Sequence, residues 1–153
     1  MSSTLDTLRE RGLAMLPSFE ERSVWVQLVG LGLVLGGYFA SAGPMLASGI
    51  MEMAPYIAVF TVCLVLLIVV QIIGHIVAAI FGGTEDADER DRLIGWKAEA
   101  RSSWVLGAGV FMAITALAFG VEAAWVANGL LLALFISEML RLVLQVVSYR
   151  RGA

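Results

Sequence analysis

The chain has 153 residues, of which 59% are apolar and only 15% charged, and its formal net charge is −3. Its mean hydropathy of +0.88 lies well above that of a soluble domain, so the apolar excess has to face lipid. With the charges confined to the segments between spans, the acidic balance says nothing about nucleic acid, and no direct nucleic-acid binding is expected. The lone Cys63 excludes an intrachain disulfide and dithiol redox exchange, and the lone His75 excludes a bis-histidine haem within one chain.

In chain order, residues 1–22 form a cytoplasmic segment that reads as a short amphipathic helix on the inner membrane surface. It is capped near Ser3 or Thr4, carries Leu5, Leu8 and Leu16 on one side, and ends at Pro17. Ala40-Ser41-Ala42 has the small-x-small spacing of a signal-peptidase site. The segment before it mixes Asp6, Glu10, Glu20 and Glu21 with Arg9, Arg11 and Arg22, unlike a short basic leader, and the apolar run is long enough to span. We therefore read it as a retained span.

Residues 23–153 form one four-helix transmembrane domain, with apolar runs over about 23–41, 55–81, 103–119 and 123–147. Each is on the order of the 20 residues that a hydrocarbon layer about 30 Å thick requires. Only Gly120-Val121-Glu122 separates the last two, which predicts a tight antiparallel hairpin. Every arginine and the lysine fall in or toward the N-terminal segment, the central loop 82–102 and the C-terminus. The positive-inside rule makes those three segments cytoplasmic. The expected fold is therefore an all-α polytopic membrane protein, a four-helix bundle with both termini inside. The central loop starts acidic, from Glu85 to Asp91, and turns basic towards Arg101, the order a helix dipole favours; a cytoplasmic helix is expected to run into the third span.

Arg22-Ser23-Val24-Trp25-Val26 opens the first span and Arg101-Ser102-Ser103-Trp104-Val105 the third, with Gly30 and Gly109 at the same offset behind them. Two readings stand: a parallel repeat of two hairpins, or interfacial Arg and Trp recurring for their own reasons.

Ionisable groups inside a bilayer cost about 2.5–3.5 kcal/mol at its centre on insertion scales, so each needs an account. Gln71 and His75 lie one turn apart on the second span, and Glu138 and Arg141 one turn apart on the fourth, all in the cytoplasmic half. As one cluster they would make a proton or ligand site, with His75 titrating. As structural groups they are interhelical hydrogen-bonding pairs, with Arg141 snorkelling inward, and this is the reading we favour. Gly32 and Gly36 have the small-xxx-small spacing of close helix packing. Met45, Met51 and Met53 fall in the outer loop, where packing is a better reading than a cuprous site. The acidic stretch reads as a solvated helix start, and no metal or other cofactor is expected. No phosphate loop, nucleophile elbow or zinc spacing appears, so enzyme is the weakest class.

Three stretches carry a family resemblance: Ser18-Phe19-Glu20-Glu21-Arg22-Ser23-Val24-Trp25, Asp88-Glu89-Arg90-Asp91 with Ile94, and Trp125-Val126-Ala127-Asn128 through Ser148-Tyr149-Arg150-Arg151-Gly152. Together they resemble a family of small uncharacterised four-helix bacterial inner-membrane proteins. Membership implies a four-span protein often encoded beside a small helix-turn-helix regulator, and implies no established activity. The residues expected to form a charged cytoplasmic rim are Glu20, Glu21, Arg22, Asp88, Glu89, Arg90 and Asp91. The leading expectation is a non-enzymatic membrane protein binding a partner through that rim. The alternative is a small homo-oligomeric transporter or channel.

Overall fold

A computed structural model describes residues 19–82 and 89–151 of the chain. It contains α1 (Phe19–Ala47), α2 (Met53–Gly82), α3 (Glu89–Ala118) and α4 (Ala123–Arg151). All four are long and apolar enough to cross a membrane. At 29 or 30 residues each they extend about 44 Å at helical rise, more than a hydrocarbon layer about 30 Å thick needs. The N-terminal amphipathic segment, the side chain of Glu20, the acidic start of the central loop and Asp88 lie outside the described residues.

Two boundaries differ from the apolar runs. α1 continues past Ser41 to Ala47, although Gly43-Pro44 reads as a breaker in sequence. Pro44 sits in the last turn, where its missing N–H costs one bond and its own carbonyl still accepts from Ser48 at 2.9 Å. α3 starts at Glu89, so the expected helix before the third span is the first part of that span's own helix. Its first turn carries Glu89 and Asp91, and the last turn of α4 carries Arg150 and Arg151, both matched to the helix dipole.

The two hairpins close in the same way. Gly49, at φ 80°, follows α1, and Gly120, at φ 76°, follows α3. Each N–H bonds back to Leu46 or Leu117, and the next residue, Ile50 or Val121, bonds to the carbonyl of Met45 or Ala116. This is the Schellman pattern, and the left-handed position in it selects glycine. A glutamate, Glu52 or Glu122, then stands immediately before the second helix.

The helices lie in the order α2, α1, α4, α3: α1 packs on α2 and α4, α4 packs on α1 and α3, and α2 touches α4 only briefly. One buried cluster, Tyr38, Ala42, Leu46, Tyr56 and Ala124, lies toward the hairpin turns; a second, Val24, Leu142 and Val146, lies at the opposite, charged end. Among the described side chains of α2 only Tyr56 is buried. Where two helices approach most closely, glycine is obligatory: a Cβ on Gly74 would collide with Val26, and one on Gly109 with Ala133. A Cβ on Gly30 would come 3.1 Å from Val70. Thus Gly30 and Gly109, at equal offsets in sequence, both face the second helix of their own hairpin. The first hairpin carries roughly eight more residues on each arm between this crossing and its turn, about 12 Å at helical rise.

Candidate functional site

The charged end gathers the polar side chains. On α1 and α2, Ser23 Oγ lies 3.2 Å from His75 Nδ1, and Gln27 Nε2 donates to Ser23 Oγ at 3.4 Å. Gln71, one turn from His75, lies close to Gly30, and its Oε1 is buried without a hydrogen-bond partner among the described residues. On α4, Arg141 donates through Nε to Glu138 Oε2 at 2.9 Å, and its Nη2 lies 2.8 Å from the same oxygen. That pair is half-exposed and complete in itself. No hydrogen bond or ion pair joins it to Gln71 or His75, so the four residues form two separate arrangements and not one bonded cluster.

Depth decides what such groups can do. Counted from the first residues of α2 and α4, Gln71 lies about 27 Å and His75 about 33 Å along its helix, Glu138 about 22 Å and Arg141 about 27 Å. All four side chains lie in the half of their helices nearer the charged end. The neighbouring helix agrees: Ser137 Oγ donates to the carbonyl of Ser102 at 3.0 Å, which sets Glu138 level with Arg101.

The rim is continuous with this polar end. Glu21, Arg22, Glu89, Arg90 and Asp91 each engage a partner. The Arg150 guanidinium lies 5.4 Å over the Trp25 ring, a cation–π contact at the same end. Leu93 and Trp96, on the α3 segment that carries the rim residues, are 50% and 67% exposed. Sequence reading passed over both, because one apolar residue among charges gives no periodic signal.

The packing glycines separate. Gly32 faces Met139 of α4 at van der Waals distance, whereas Gly36 has nothing within 4 Å and is exposed. Met45 lies within α1, Met53 opens α2, and with Met51 they pack against the Tyr38 and Tyr56 cluster. A buried polar pair in the interior was not singled out from sequence: Tyr38 Oη donates to Asn128 Oδ1 at 2.8 Å, and Asn128 Nδ2 donates to the Ala124 carbonyl at 2.8 Å. An asparagine within an apolar span was the available signal. Comparisons with family models, with curated proteins and with solved structures find no match for this chain.

Proposed function

We propose that the chain is a non-enzymatic integral protein of a bacterial inner membrane, with both termini cytoplasmic, whose charged end binds a protein partner. The observation that carries this reading is the exposure of Leu93 and Trp96 on the charged start of α3. They lie about 38 Å and 33 Å from Ala118 along the helix, beyond a hydrocarbon layer about 30 Å thick. An interfacial tryptophan accounts for Trp96 alone. Leu93, almost a turn further out, has no lipid to face, and an aromatic–aliphatic pair ringed by charge is the usual anatomy of a protein contact. The family resemblance makes a helix-turn-helix regulator the first partner class to test.

The test is gentle extraction of the tagged protein from its native membrane, followed by native mass spectrometry. A stoichiometric soluble partner is expected, lost on Trp96→Ala and on reversal of Asp88, Glu89 and Asp91 while the helices stay folded. Retention of that partner by all these variants would overturn the reading.

One observation favours the second reading, a homo-oligomeric transporter or channel: the Gln71 amide oxygen is buried without a partner next to His75. Flux in liposomes abolished by Gln71→Leu or Glu138→Gln would support it. Flux that survives both changes would remove these residues from any pathway.

A further inference from the structure

Between α3 and α4, on the side away from Glu138 and Arg141, runs an apolar groove of about 390 Å³. That volume falls within the roughly 300–1,000 Å³ of small-molecule sites. Trp104 and Ile136 line it toward the charged end, Trp125 toward the turn, with Ala108, Met112 and Gly129 between. The crossing of Gly109 against Ala133 is part of its wall. From Trp104 to Ala116 the groove is about 18 Å long at helical rise, close to the roughly 15 Å depth of one leaflet's hydrocarbon.

Its charged-end mouth is basic. Lys97, Arg101, Trp104 and Ala108 follow one another at helical spacing, so both cations stand on the groove's own stripe of α3. Both are exposed, and neither forms an ion pair with a described residue, unlike Arg141. Beyond Ile136 the matching stripe of α4 is Leu140, Val143 and Val147, with no carboxylate to neutralise them.

We propose that the α3–α4 groove holds one acyl chain of an anionic phospholipid, with the lipid's phosphate at Lys97 and Arg101. The inference rests on the reading that the chain spans a membrane with its charged end at a leaflet surface, and does not depend on the partner. Charge at the mouth selects the headgroup, and the apolar walls hold the chain without selecting it.

The experiment is native mass spectrometry of the full chain in mild detergent, titrated separately with phosphatidylglycerol and phosphatidylcholine. One phosphatidylglycerol is expected to remain bound under activation that strips phosphatidylcholine. Arg101→Gln should reduce that preference about fivefold, the size expected of one basic residue at an anionic surface. Gly129→Leu should remove the retained lipid, and its Cβ meets nothing within 4 Å, so the backbone tolerates it. Ala116→Leu, elsewhere in the groove, serves as a second plug if Gly129→Leu fails to fold. Equal retention of both lipids by the unaltered chain, or retention unchanged in the plugged variants, would overturn the proposal. Carbonate extraction of the chain from membranes would instead overturn the membrane reading beneath it.

Discussion

Tyr38 and Asn128 show what one hydrogen bond does where water is scarce. Asn128 brings an amide into the apolar interior, and its two groups are met by the Tyr38 hydroxyl and the Ala124 carbonyl. Tyr38→Phe keeps the ring and its edge-on contacts with Phe39 and Phe60 while leaving Asn128 Oδ1 without its donor. The expected cost is about 0.6 kcal/mol, the average for interhelical bonds inside membranes, and at most about 1.7 kcal/mol. Unfolding in mixed detergent micelles measures it. Combining Tyr38→Phe with Asn128→Leu should cost less than the two changes summed, because the second removes the group that the first leaves unpaired. Strict additivity would mean that the two side chains do not interact. Glu138 and Arg141 differ: half-exposed and paired only with each other, they should contribute little to stability.

The same contrast holds between glycines on the helices. Gly109→Ala places a methyl group into Ala133 and forces α3 and α4 apart, which should cost about 1–3 kcal/mol as overpacking does. Gly36→Ala adds a methyl in open space and replaces the poorer helix former, so it should be neutral or stabilise by up to about 1 kcal/mol. Thermal unfolding of the two variants in one detergent separates them. A Gly36→Ala chain that loses a self-associated form without losing helix would assign that face to a second copy. Much of the element level was legible in the sequence. Four apolar runs mark four helices, because each run reaches spanning length and the tight Gly120-Val121-Glu122 connection admits only a hairpin. The extra turns of α1 were hidden by Pro44, and the identity of the closest-packed glycines was hidden because spacing alone does not say which face meets a neighbour. Gly74, four residues before Ala78, was not singled out from the sequence, yet it meets Val26 more tightly than Gly32 meets Met139.

Across the whole molecule, polarity is distributed by depth. The turn end carries Glu52 and Glu122 and no basic residue, while the charged end carries the rim, Arg101, Lys97 and both polar pairs. Gln71, His75, Glu138 and Arg141 read from sequence as intramembrane because they fall inside apolar runs. The structure places all four in the charged-end half of their helices, and helices of this length can carry such groups to the boundary of a layer about 30 Å thick. A group at that boundary is hydrated, needs no partner across the bundle, and pays little of the insertion cost that would otherwise demand a function. Single cysteines in a Cys63→Ala background test this. On the proposed topology, His75→Cys and Arg141→Cys should react with a membrane-impermeant maleimide from the cytoplasmic side only. Leu33→Cys, at a 72% exposed position of α1, should stay unlabelled from both sides if that face meets lipid. Labelling at His75 and Arg141 as slow as at Leu33 would place the polar pairs inside the hydrocarbon after all. It would then make Glu138→Gln in liposomes the decisive comparison, because a charge pair held at that depth would carry a cost that packing alone does not offset.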